Sequence, residues 1–156
     1  MNKLWQNSFV VVAVVLGLAG CGNIVKMDMR SDKDLNVAIS GASLPVVVRV
    51  YQLSDSTAFK SAAFHDLWKR DAETLGASLL SSKEIIMQPD SKESISLPLN
   101  EKTKFVAVFA MFRNTNTAKW SFIQPVSDGV IASSWHKLFP VSISLRLTQN
   151  KIEIVN

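Results

Sequence analysis

The chain has 156 residues, a formal net charge of +4 and 47% hydrophobic residues. That is one domain's worth of chain, enough for a single core, and no second domain is required. The basic residues are scattered rather than bunched, which excludes the clustered stripe that a nucleic-acid partner needs.

At the N-terminus Lys3 gives a short positive start, Phe9 to Leu18 are apolar and uncharged, and Ala19 and Gly20 are small. This is the layout of a secretory signal. A membrane-spanning helix needs about twenty apolar residues, and this run breaks into Asn23, Lys26 and Asp28 first. Leu18-Ala19-Gly20-Cys21 resembles the bacterial lipobox, in which the cysteine thiol receives diacylglycerol and becomes the first residue after cleavage. The chain's single cysteine is then a lipid attachment point, so the mature protein has no disulfide although the periplasm permits one. The alternative is an ordinary cleavable signal with a chance cysteine at its boundary. Several acyl chains anchor durably where one does not, each buried methylene contributing about 0.8 kcal/mol. Gly22 follows the cysteine where, in lipoproteins of enteric-type bacteria, an aspartate implies inner-membrane retention. The expected address is therefore the inner leaflet of the outer membrane, facing the periplasm.

Residues 22–33 mix Lys26, Asp28, Arg30, Asp32 and Lys33 and suggest a solvated tether. The division expected is a removed signal over 1–20, a lipidated N-terminus and flexible tether over 21–33, and a β-sandwich domain over 34–156.

Strands dominate after that. Leu35, Val37 and Ile39 alternate with Asn36, Ala38 and Ser40, and 41–44 turn the chain into Pro45 to Leu53. There Val46, Val48 and Val50 share one face, while Val47, Arg49, Tyr51 and Leu53 share the other. Ile85 to Met87 and Ile95 to Leu99 are further candidates, the latter placed at an edge by Pro98, which cannot donate to a ladder. Phe105 to Phe112 is apolar on both faces and suits a covered, mid-sheet strand. Trp120 to Ile123 and Val141 to Thr148 follow, and Gln149-Asn150 turn into Ile152 and Ile154. Short strands with turns between them predict an all-β, two-sheet sandwich.

A helical insertion after the second strand breaks the pattern. Between Ser56 and Gly76, Thr57 is a candidate cap, Phe59 and Ala63 are four apart, and Trp68, Ala72 and Leu75 repeat at helical spacing. The gap from Phe59 to Phe64 fits two short helices better than one, and their apolar faces belong on the sheet.

Chemical motifs are sparse. His65 and His136 stand far apart, with no HExxH or His-x-His spacing, so no metal site and no catalytic residue is assigned, and no cofactor is expected beyond the lipid on Cys21. There is no GxSxG elbow and no phosphate-cradling glycine loop. Phe112, Trp120, Phe122 and Trp135 make a carbohydrate platform conceivable, although aromatics at strand spacing usually belong to a core.

Val48-Arg49-Val50-Tyr51-Gln52-Leu53, followed by Ala58-Phe59, Ala62, Phe64, Leu67 and Leu75-Gly76, resembles the outer-membrane lipoprotein of the type VI secretion system, the TssJ (also SciN or VasD) family. Phe105 to Arg113 with Ala118-Lys119-Trp120 behind it does the same. The resemblance spans roughly Leu35 to Ile154. It implies a transthyretin-like sandwich with a helical insertion and a role without catalysis: fastening a trans-envelope complex to the outer membrane by binding the periplasmic C-terminal domain of the inner-membrane subunit TssM. In that family the first inter-strand connection is often a long loop that contributes to TssM binding. With a first strand ending at Ser40 only a short loop remains, and Gly41, Ala42, Ser43 and Leu44 are the expected partner contacts, Leu44 the apolar anchor; the alternatives are that they form only a tight turn and that the helical insertion takes a larger share of the interface. The alternative function is a stand-alone periplasmic lipoprotein that binds a glycan or another small ligand on a sandwich scaffold.

Overall fold

A computed structural model describes residues 24–116, 118–126 and 141–155. The signal, Cys21, Gly22, Trp135 and His136 lie outside them. Among the described residues the order is β1 (Ile24–Ser31), β2 (Val46–Leu53), α1 (Thr57–Ser61), α2 (Phe64–Leu75), β3 (Leu79–Met87), β4 (Lys92–Pro98), β5 (Phe105–Ala110), β6 (Ser121–Pro125), β7 (Val141–Leu147) and β8 (Ile152–Ile154). They form two four-stranded sheets, β4-β1-β7-β8 and β3-β2-β5-β6.

The first strand corrects the expected tether. Ile24–Ser31 alternates strictly between exposed and buried positions. Val25, Met27 and Met29 point inward, and Lys26, Asp28 and Arg30 point out. The outward charges made the segment look solvated throughout. They are the polar half of a period-two pattern whose apolar half is Val25 and two methionines, unbranched residues outside the β-branched and aromatic set that marks strands. β1 pairs antiparallel with β4 and parallel with β7, so it lies inside its sheet. The expected strand at 35–40 does not form, because Leu35 and Asn36 sit in a turn and Ile39 is fully exposed.

Between the sheets, Val25, Met27 and Met29 meet Val46, Val48 and Val50 of β2, Val106 and Val108 of β5, and Ile143, Leu145 and Leu147 of β7. The outer face of the β2–β5 sheet is buried as well. Tyr51, Leu53, Ala107 and Phe109 pack under Phe59, Leu67 and Leu75 of the helices. The result is three layers, and β5 is covered on both faces as its sequence predicts. Pro98 ends an edge strand, also as expected.

The insertion does form two helices, but its inward stripe is not the expected one. Leu67 and Leu75 are buried, Ala72 is exposed, and Trp68 is 44% exposed. Arg70 has non-helical φ/ψ and kinks α2. Asp71 occupies the inward position between the two leucines, where Tyr51 donates to Oδ2 at 3.0 Å and Arg49 Nη1 lies at 3.2 Å. At the kink Arg49 also donates to the carbonyls of Leu67 and Trp68, while its Nε reaches Glu84 at 2.9 Å. A search for apolar periodicity passes over a carboxylate on the inward stripe. Here the stripe is held by one arginine that reads both helix carbonyls and the neighbouring strand.

Met27→Ala is expected to destabilise the domain by about 2–5 kcal/mol, the usual range for emptying a buried methionine site. Lys26→Ala beside it should stay within about 0.5 kcal/mol, as surface changes do. Urea denaturation distinguishes the two, and a solvated tether would make both silent.

Burial raises the Tyr51 phenol above its ordinary value, and the nearby Asp71 charge adds to this. A raised folded-state pKa gives stability that is complete below the unfolded value of about 10 and is lost as pH rises through the folded value. Tyr51→Phe should therefore remove part of the loss of stability seen in urea titrations above about pH 10.

Candidate functional site

With β1 ending at Ser31 and β2 starting at Val46, the first inter-strand connection is residues 32–45. This overturns the short loop expected from the sequence. The connection folds back on itself: Leu44 N–H donates to Leu35 O at 3.1 Å, Ala38 N–H to Ala42 O at 2.8 Å, and Gly41 N–H to Ala38 O at 2.9 Å. Gly41 has φ of +84°, the left-handed region where a side chain is disfavoured, which closes the turn behind Ile39 and Ser40.

The base of the loop is fixed at several points. Asp32 receives both Nε and Nη2 of Arg146 at 2.8 Å, a bidentate pair that sets direction as well as strength. Its N–H donates to Leu147 O at 2.9 Å. Leu35 plugs the core with no exposed surface. Asn36 adopts φ of +49° and spends its whole side chain on the frame: Nδ2 donates to Pro45 O, and Oδ1 accepts from Arg113 N–H, each at 2.8 Å. Its own N–H donates to Gln149 O. Beside this base lies an open recess of about 310 Å³ whose lining includes Arg30, Lys92 and Arg146 together with Asp32 and Asp90.

Of the expected contacts, Gly41 and Ala42 are exposed, while Ser43 and Leu44 are half-buried. Leu44, chosen as the anchor, lies in the stem and not at the tip. The apolar side chain at the tip is Ile39, which the alternation of 35–40 predicts on a strand face. The signal that marks it is Ser40-Gly41, a turn pair directly after an isolated isoleucine.

The remaining sequence candidates divide cleanly. Phe112 is buried, and Trp120 and Phe122 pack against the core. Trp120 meets Phe64 and Phe109 edge-on, at 5.6 and 5.7 Å between ring centres. Phe112 is interior and the other two are half-buried against the core, so the three aromatics serve packing. His65 is exposed and lies edge-on to Trp68 at 6.0 Å. Among the described residues no group of three or more His, Cys, Asp or Glu side chains converges.

A two-sheet sandwich with helices over one outer face and a braced, apolar-tipped loop at one end defines a class of scaffold. The comparison with known proteins gives the family. The type VI secretion lipoprotein family, described by the names VasD, EvfM and TssJ, matches residues 23–150, and the chain belongs to it. Its fold is similar to the T6SS lipoprotein TssJ1 from Pseudomonas aeruginosa, with 24% identity, TM-score 0.76, and coverage of 86% of this chain and 95% of that one. A chain of a type VI membrane complex is similar at 26% identity and TM-score 0.73, over 86% and 98% of the two chains. A chain in the structure of the T6SS protein TssM C-terminal domain from EAEC is similar at 23% identity and TM-score 0.68, over 85% and 98%. No curated protein sequence gives a significant match.

Asn36→Ala removes two side-chain hydrogen bonds and places a β-carbon residue without local hydrogen bonding at positive φ. A loss of about 1–3 kcal/mol is expected, the range for leaving buried polar groups unpaired. Hydrogen exchange should speed up across 35–44 and leave β5 unchanged.

Proposed function

We propose that this family member anchors a type VI secretion membrane complex to the outer membrane as a non-catalytic lipoprotein. In this reading Cys21 carries the lipid, Gly22 permits outer-membrane sorting, and loop 32–45 binds the periplasmic C-terminal domain of TssM. The observation that carries the partner site is the contrast within the loop. Its base is tied to β7, Arg113 and Gln149, whereas Ile39 at its tip is fully exposed. A pre-ordered loop loses little conformational entropy on binding, so more of the contact energy remains as affinity. The membership in the secretion family and the likeness to a chain of a type VI membrane complex support the assignment.

In this reading Ile39 is the apolar anchor, with Gly41 and Ala42 exposed beside it and Ser43 and Leu44 half-buried in the stem. Burying an isoleucine side chain contributes about 1.5–3 kcal/mol. Ile39→Glu should therefore weaken TssM binding by about tenfold or more in calorimetric titration, with the melting temperature unchanged. Ser40→Ala, which keeps the turn, should bind as the parent does. Equal affinity for the Ile39→Glu protein would remove this loop as the contact and move attention to the exposed Trp68 on α2.

A further inference from the structure

The lipid anchor and the first strand are separated by almost no chain. From Cys21 to Ile24 the chain advances three residues, a reach of at most about 11 Å at roughly 3.5 Å each. A cysteine whose acyl chains fill the leaflet sits where hydrocarbon gives way to headgroups, and the headgroup zone is about 5–8 Å deep on each side. If Cys21 is acylated, as proposed above, Ile24 is therefore held at the headgroup surface. It does not hang from a loose segment, because it is the first residue of an internal strand.

Ile24 brings the end of its sheet with it. It stands opposite Pro98 of β4, and its neighbour Val25 stands opposite Val141 of β7. Ile24 is 42% exposed, Val141 is 38% exposed, and Pro98 is exposed as well. Single exposed apolar residues are ordinary on protein surfaces; these are grouped at the end that the anchor holds against lipid. The turn between β4 and β5 lies at the same end. Buried Gln52 fixes it, donating to Pro98 O and accepting from Asn100 N–H and Thr103 Oγ1. That turn exposes Lys102 and Lys104, and Lys26 is the next outward residue of β1, with Asp55 and Glu101 as the acidic groups nearby. Apolar residues bordered by lysines suit a bilayer interface, where amine groups meet phosphate and short side chains enter the headgroup layer.

We propose that the Ile24, Pro98 and Val141 end of the sheet rests on the lipid headgroups, so that anchor and sheet end together hold the domain upright. The consequence is orientation. From Ile24 to Ser31 the strand rises roughly 23 Å at about 3.3 Å per residue, and loop 32–45 begins at its far end. β1 is then a strut with lipid at one end and the apolar loop tip at the other, facing the periplasm.

The test uses full-length lipidated protein in vesicles of phosphatidylethanolamine and phosphatidylglycerol. The chain has a single cysteine, and acylation consumes its thiol, so an introduced cysteine takes an environment-sensitive fluorophore alone. Labels at Ile24→Cys and Val141→Cys should be quenched severalfold more by a headgroup spin-labelled lipid than a label at Ile39→Cys, and the order should reverse with aqueous iodide. A third label, at Lys102→Cys, should lose its lipid quenching when Ile24→Glu and Val141→Glu are added. Equal quenching at all sites, or a Lys102→Cys label indifferent to the two glutamates, overturns the seating. Intact mass separates the two levels of the argument. An acylated protein whose sheet end stays water-exposed loses the seating and keeps the anchor, whereas a chain without acyl mass loses both.

Discussion

The pairing of β1 with strands from opposite parts of the chain is the constraint on which the molecule depends. Ile24–Ser31 is hydrogen-bonded to β4 on one side and, in parallel, to β7 on the other. Without it, β4 and β7 would each present an unpaired edge, and the core would lose Val25, Met27 and Met29 together. The same strand positions the loop that follows, because Asp32 directly after it is gripped by Arg146 of β7, across 114 residues of sequence. The parallel pairing of the first and seventh strands is a long-range contact, of the kind whose loop-closure entropy slows folding.

The second sheet is arranged differently. Its inner face shares the sandwich core, and its outer face is roofed by α1 and α2, so β2 and β5 have no free surface for a ligand. The seam beneath the roof is part apolar and part ionic. Tyr51, Arg49 and Asp71 satisfy one another, and among the described residues no buried side-chain polar atom lacks a partner. A helix pair fastened this way is a fixed cover over the sheet, and the loops at the ends of the sandwich stand on committed sheets.

Those two ends have different chemistry. One carries Ile39 on a braced loop, with a recess lined by Arg30, Lys92 and Arg146 near its base. The other carries the exposed Ile24, three residues from the lipobox cysteine, with the exposed Val141 and lysines beside it. In the role proposed for this chain that polarity has a use, since an anchor alone restricts distance and leaves rotation free, and a rigid strand between the two ends would supply the direction.

Much of the architecture was already present in local pattern. The alternation in Val46–Leu53, the doubly apolar Phe105–Ala110, Pro98 at an edge and the broken stripe at Phe59 to Phe64 all gave elements that the structure contains. The quoted runs that resemble the secretion lipoproteins also led to the family that the chain belongs to. What local pattern misassigned is equally specific. Met27 and Met29 were masked by the charges between them, Leu35 and Ile39 shared a spacing but not a fate, and Asp71 took an inward position that hydrophobicity would assign elsewhere. Each of these is settled by a contact from a distant part of the chain: β4 and β7 for the methionines, Arg113 and Gln149 for the loop base, Arg49 and Tyr51 for the carboxylate. Periodicity records which residues can share a face, so the sequence by itself determined the β-rich class and the insertion. Which segment fills the middle of the sheet, and hence which apolar residue is left at the loop tip, depends on pairing energies between segments more than a hundred residues apart, and only the tertiary structure decided that.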